Sequence, residues 1–188
     1  MHNTRYNEPV YPCEKLDSRC ILEVVEVTEI EKRHRRCCFT GHRPQKLRRA
    51  ESEIKRDLEE AIRKAILGGY RTFITGMAYG VDIWAGEIVV RLRESNPELH
   101  LIAAIPYPDF CSRWSSDWKR QYDSLLKEVD LIKYICPSYN AGAFQRRNEW
   151  MVDHSAHVIA VFNGEKSGIK NTIDYAKKSE VEIEIIQA

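Results

Sequence analysis

Residues 37–82 read CCFTGHRPQKLRRAESEIKRDLEEAIRKAILGGYRTFITGMAYGVD. The stretch opens on a short apolar run, Cys37–Thr40, which ends in Thr40-Gly41-His42-Arg43-Pro44. Glu51–Leu67 then places Ile54, Leu58, Ala61, Ile62, Ala65 and Ile66 on one helical face, and Gly68-Gly69 supplies a stop. Arg71–Thr75 is a second apolar run, followed by Thr75-Gly76-Met77-Ala78-Tyr79-Gly80-Val81-Asp82 and a new helical pattern. Strand, helix, strand and helix in this order form a βαβ unit with a glycine-containing turn after each strand.

The alternation continues to the end of the chain. Helix is predicted from Val81 to Ser95, stopped by Asn96-Pro97, then a near-continuous apolar strand over Leu99–Ile105. Trp114–Lys127 reads as helix, Leu131–Ile135 as strand, Ala143–Ala156 as helix and His157–Phe162 as a buried strand. Asn171–Lys178 predicts a short helix and Glu182–Gln187 a final strand. The implied architecture is α/β: a Rossmann-like, doubly wound, mainly parallel sheet with helices on both faces.

Residues 1–36 differ from this pattern and read as an N-terminal extension, with residues 37–188 as the Rossmann-like domain. Cys20–Ile30 is rich in β-branched residues, which predicts an extra edge strand. The basic run Lys32–Arg36 reads as a solvated linker.

Composition narrows the function classes. Among 188 residues, 43% are hydrophobic and 30% charged, as in an ordinary globular domain. The net charge of +1 gives no global field for nucleic acid, and only a local basic patch is left open. The polar N-terminus and the lack of an apolar run near 20 residues predict a cytoplasmic protein without membrane insertion. Six cysteines show neither a CxxC pair nor a metal-ligand spacing, so the expectation is reduced thiols and no metal. Cys136, beside a loop, is the candidate reactive exception.

In a doubly wound sheet, ligands bind outside the carboxyl ends of the strands. Three strands here run into glycine-bearing loops at that edge. They are TGHRP (40–44), TGMAYGVD (75–82) and NGEKSG (163–168), the last leading into a helix. Glycine allows close backbone approach, and helix starts offer free N–H groups with a positive dipole end, which suits phosphate. Neither GxxxxGK[ST] nor GxGxxG is present.

Candidate ligand-binding residues follow from these loops: Thr40, Gly41, His42, Arg43, Gly76, Met77, Ala78, Gly80, Asp82, Asn163, Gly164, Ser167, Gly168 and Thr172. Arg43 offers a planar fork for phosphate, and Asp82 an acceptor for ribose hydroxyls. Tyr139 follows a strand end and can stack on a base, while Trp84 reads as core. Gln145 and Asn148 open the helix after Ala143, whereas Arg146 and Arg147 read as outward-facing. Asp82 and Glu87, placed one helical turn apart, are the weak candidates for acid/base catalysis.

TGHRP (40–44), ITGMAYGVDIWAGE (74–87) and FQRRNEWMVDHSAHVIAVFNGEKSGIKNT (144–172) together resemble the YpsA-like branch of the SLOG superfamily, over about residues 37–180. The resemblance implies a Rossmann-like fold and the binding of a nucleotide-derived ligand, such as ADP-ribose or an NAD-like molecule, by a sensor or regulator. It also implies a link to bacterial cell division. TGMAYGVD is similar to the S-G-x-A-x-G-I-D segment of DNA-processing protein A in the same superfamily. The LOG-type enzymes, labelled lysine decarboxylases and cleaving a base from a nucleoside monophosphate, pair PGGxGT with a glutamate. Here Ile169 takes the threonine position and Lys170, Asn171 and Thr172 follow, which argues against that chemistry.

Three functions therefore stand. The first is a non-catalytic nucleotide sensor, with a small-molecule nucleotide as partner and self-association left open. The second is a nucleotide hydrolase using Asp82 or Glu87. The third is single-stranded DNA binding through Arg35, Arg36, Arg43, Lys46, Arg48 and Arg49, which the near-neutral charge disfavours.

Overall fold

Short runs rich in β-branched and other apolar residues form the strands, and a computed structural model describes their arrangement over residues 28–188. Six strands occur among these residues: β1 (Arg36–Gly41), β2 (Thr72–Thr75), β3 (His100–Ile105), β4 (Leu131–Tyr134), β5 (His157–Phe162) and β6 (Glu182–Gln187). They form one sheet in the order β4-β3-β2-β1-β5-β6, and every neighbouring pair is parallel. The Rossmann-like expectation holds, with the sheet wholly rather than mainly parallel.

Six helices accompany the strands: α1 (Glu29–His34), α2 (Glu51–Leu67), α3 (Val81–Arg93), α4 (Ser116–Leu126), α5 (Ala143–Asp153) and α6 (Gly168–Lys178). From β1 the chain first winds outward through β2, β3 and β4, with α2, α3 and α4 packed on one face. It then returns past β1 and winds the other way through β5 and β6, with α5 and α6 on the opposite face. Right-handed crossovers require this change of face when the direction reverses. The reversal lies between β1 and β5, which pair from Cys37–His157 to Gly41–Val161.

Helices α2 to α6 each bury the stripe their spacing supplies, whereas α1 buries none of its residues. In α2, Ile54, Leu58, Ala61, Ile62 and Ala65 are buried against the sheet; each large aliphatic contributes about 1.5–3 kcal/mol. Phe39 and Phe73 stack across β1 and β2 at 5.8 Å. Trp84 is 1% exposed, in agreement with its reading as core. Cys37 and Cys38 are fully buried free thiols, and burial pushes both thiol pKa values up, that of Cys38 to about 12. No described helix is long and apolar enough to cross a membrane.

The N-terminal reading needs correction where it can be compared. Most of the expected Cys20–Ile30 strand lies outside the described residues, but Glu29 and Ile30 already belong to α1, and the basic run enters that helix and then β1. A capping box explains the helix: the Thr28 side chain accepts from the Glu31 N–H, and the Glu31 carboxylate accepts from the Thr28 N–H at 2.8 Å.

Candidate ligand cleft

The carboxyl ends of β1, β2 and β5 and the first turns of α3, α5 and α6 enclose a cleft of about 340 Å³ at the strand-order reversal. The end of β1 contributes Thr40, Gly41, His42 and Arg43, and the following 3₁₀ turn (Pro44–Lys46) contributes Lys46. The TGMAYGVD loop contributes Ala78 and Asp82, α5 brings Phe144, Arg147 and Asn148, and the start of α6 brings Ser167, Gly168 and Ile169.

The floor is a buried ion pair. Arg147 and Asp82 are 6% and 5% exposed, and the Arg147 guanidinium meets the Asp82 carboxylate at 3.2 Å. Arg147 also donates to the Gly76 carbonyl, and Asp82 accepts from the Ala78 N–H at 3.3 Å. Burial pushes the Asp82 carboxyl up from its ordinary range, with the Arg147 charge opposing that shift. The loop is tied further by Thr75, whose hydroxyl donates to the Asp82 carbonyl at 2.7 Å and accepts from the Met77 N–H at 3.1 Å.

Glycine is required at two places in this loop. A Cβ on Gly76 would collide with the Arg147 guanidinium and lie 2.6 Å from the Asp82 carboxylate. Gly80 has φ +94°, and a Cβ there would meet the Pro44 ring at 2.7 Å. By contrast, Gly164 and Gly168 face open space, so close approach does not account for either.

The cleft is rich in nitrogen donors. His42 is 2% exposed, stacks on Phe162 at 5.8 Å, and its Nε2 has no protein partner; the Nε of Arg147 is likewise buried and unpartnered. Desolvation lowers the His42 imidazole pKa, which favours the neutral ring. Arg43 and Lys46 are exposed at the rim, and neither is ion-paired among the described residues. At α6, the Ser167 hydroxyl accepts from the Lys170 N–H at 3.4 Å and caps the helix.

Of the residues singled out from the sequence, Thr40, Gly41, His42, Arg43, Ala78, Asp82, Asn148, Ser167 and Gly168 line this cleft. Gly76, Met77 and Gly80 lie beneath it, fully or nearly buried. Thr172 supports it from behind, accepting from the Asn148 amide at 2.9 Å and donating to the Gly168 carbonyl at 2.9 Å. Asn163 instead donates to the Lys46 carbonyl, and Gln145 donates to Glu149; neither they nor Gly164 line the cleft. Tyr139 stands in an adjoining hollow.

Two readings are corrected. Arg147 does not face outward; it shares a buried stripe with Ala143 and Met151, and that i, i+4, i+8 spacing was the available signal. Glu87 does not pair with Asp82. Five residues advance a helix by about 500°, leaving the two about 140° apart. Glu87 is exposed and lines a shallow surface between α2 and α3 with Lys55 and Glu59.

The basic residues considered for DNA do not form one surface. Arg43 and Lys46 line the cleft, whereas Arg35 and Arg36 lie at the opposite end of β1. Arg48 pairs with Glu165, and Arg49 with Glu53 and Asp57.

A family model described as the YspA SLOG family matches residues 37–188. The chain belongs to that family. The SPbeta prophage-derived protein YoqJ of Bacillus subtilis is 38% identical over 134 residues, covering 65% of this chain and 77% of that protein. A UPF0398 protein of Halalkalibacterium halodurans is 27% identical over 128 residues, covering 66% and 68%. Among solved structures, DNA processing protein A of Streptococcus pneumoniae superposes with a TM-score of 0.60 at 19% identity, covering 82% of this chain and 51% of that one. DNA processing protein A of Helicobacter pylori, described for its single-stranded DNA binding mode, gives 0.57 at 19% identity, covering 84% and 66%. This member of the YspA SLOG family thus shares its fold with those proteins while spanning about half to two thirds of their chains.

Proposed function

We propose that the cleft binds the phosphate of a nucleotide-derived ligand of the ADP-ribose or NAD type, and that the protein acts as a sensor or regulator without turnover. The observation that carries this reading is the donor set gathered at one strand-order reversal. Arg43 and Lys46 stand without ion-pair partners among the described residues, beside the buried His42 and the first turn of α6. Oriented N–H groups with cationic side chains suit phosphate.

The absence of turnover is inferred from how the acidic groups are placed. Asp82 is the one carboxylate among the described lining residues, and Arg147 and the Ala78 N–H already hold it. Glu87 is elsewhere. Neither is presented as a free general base.

Thermal unfolding with ADP-ribose, NAD, AMP, cyclic nucleotides and short single-stranded DNA tests the reading, with product analysis of each hit. A saturable rise in melting temperature with an intact nucleotide is expected. Arg43→Ala and Lys46→Ala should each weaken it on the order of tenfold. A flat response across the nucleotides refutes the reading, and product formation lost in Asp82→Asn replaces the sensor with a hydrolase.

A second reading, single-stranded DNA binding, has one observation in its favour: Arg43 and Lys46 stand next to a group of aromatic rings, a combination that suits a stacked strand. It requires binding that falls steeply with salt.

A further inference from the structure

Beside the cleft lies a second, larger hollow of about 770 Å³, walled by Tyr79, Tyr107, Phe110, Trp114, Trp118 and Tyr139. It is continuous with the cleft, because Arg43, Phe110 and Trp114 line both. Resting on the nucleotide reading above, we propose that this hollow holds the nucleobase of the ligand whose phosphate occupies the cleft.

Aromatic side chains that serve only a core bury themselves, and these do so only in part. Phe110 is buried, but Tyr79, Tyr107, Trp114 and Trp118 are half-buried and Tyr139 is 67% exposed. Their mutual contacts are edge-on or tilted. Trp114 meets Tyr79, Phe110 and Tyr122 at 79°, 80° and 86°, and Tyr107 meets Tyr139 and Phe144 at 75° and 76°. Edge-on packing leaves ring faces that are not covered by a parallel neighbour, and a planar base stacks on such a face.

The polar members fit the same occupant. Arg43 lies 4.6 Å above the Tyr79 ring, at the boundary of the two spaces, so one guanidinium serves phosphate on one side and π systems on the other. Arg113 and Gln45 line the hollow and can donate to acceptor atoms on a base edge.

The test compares ADP-ribose with ribose 5-phosphate by calorimetric titration of the full chain. Ribose 5-phosphate keeps one sugar phosphate and lacks the base, the second ribose and the second phosphate, so that the aromatic variants isolate the share of the base. Tryptophan emission is followed in parallel. ADP-ribose is expected to bind more tightly, with a change in emission. Trp114→Ala should weaken ADP-ribose about 5- to 150-fold and leave ribose 5-phosphate unchanged. Because Trp114 also packs on Tyr122, the exposed Tyr139→Ala serves as a variant that leaves the interior intact, and Trp114→Phe should recover most of the affinity.

Equal affinity for the two ligands, or aromatic variants that bind ADP-ribose as the parent does, overturns the base site and leaves the phosphate cleft standing. No binding of either ligand or of any nucleotide overturns both. Binding of oligothymidylate in place of ADP-ribose, lost in the same aromatic variants, supports the base site and assigns the base to a DNA strand.

Discussion

Replacing Arg147 with methionine removes one half of the buried ion pair and keeps much of its volume. In the parent, the guanidinium serves the Asp82 carboxylate at 3.2 Å and the Gly76 carbonyl, and both charged residues are over 90% buried. Without it, the carboxylate retains the Ala78 N–H, and the Gly76 carbonyl loses this donor. Breaking such a pair costs about 3–5 kcal/mol, which lowers the melting temperature by about 6–20 °C in a domain of this size. The loss should depend on pH. Burial already pushes the Asp82 pKa up, and removing the opposing charge pushes it further. The native state then holds more protons than the unfolded chain, so stability of the variant falls as pH rises above the unfolded value of about 3.9, until the raised native pKa is passed. Urea titrations at several pH values measure the effect. The double variant Asp82→Asn/Arg147→Met, which leaves no buried charge, should recover much of the loss. A single variant that costs less than about 1 kcal/mol, or a double variant no more stable than the single, refutes the description of this pair as a mutually dependent floor.

Three further outcomes are expected. Gly76→Ala should lower stability by about 1–3 kcal/mol through overpacking against Arg147 and Asp82, while Gly164→Ala, in open space but at φ +86°, should cost less; differential scanning calorimetry compares them. His42, whose pKa burial lowers, is neutral when folded at pH values where the unfolded ring is charged, so stability should fall as pH drops below about 6.5, and His42→Gln should flatten that part of the profile. Cys136 is only 5% exposed, so its alkylation should be slow, but its onset should lie at lower pH than ordinary thiols show, because the Arg146 guanidinium, 3.5 Å from its sulfur, lowers its pKa; Arg146→Leu should move that onset upward, and an unmoved onset contradicts the contact.

The fold was legible because burial and period agree along most of the chain. α2 occupies Glu51–Leu67 as its 3.6-residue stripe and Gly68-Gly69 stop require, and β5 occupies His157–Phe162 as an unbroken apolar run between two faces of helices. The β1, β2 and β5 loops were legible for the same reason, since parallel strands put all their carboxyl ends on one edge. Side-chain direction was harder. Arg147 reads as solvated because charge outweighs position in any composition-based judgement, although its neighbours at four-residue spacing are Ala143 and Met151. The aromatic hollow was hidden further: Tyr107, Phe110 and Trp114 belong to an irregular segment between β3 and α4, where no period exists to show which rings will meet. At the N-terminus, β-branched residues outweighed the Thr28–Glu31 capping box, a local hydrogen-bond pattern that fixed the helix.

The placement of charge divides this site into two parts with different tasks. The floor spends its polar groups on itself: Asp82, Arg147, Thr75 and the Gly76–Ala78 backbone are joined in one network, and substitution there acts first on folding. The rim holds its polar groups ready, with Arg43 and Lys46 exposed and the partly exposed rings beside them. Substitutions at the exposed Arg43, Lys46 and Tyr139 should therefore change what binds while leaving the stability of the free protein within about 0.5 kcal/mol of the parent, as surface changes usually do. This separation makes the phosphate and base assignments testable one at a time. A charge removed at Lys46, which lines the cleft alone, alters every phosphorylated ligand alike, whereas a ring removed at Tyr139 or Trp114 distinguishes ligands that carry a base from those that do not.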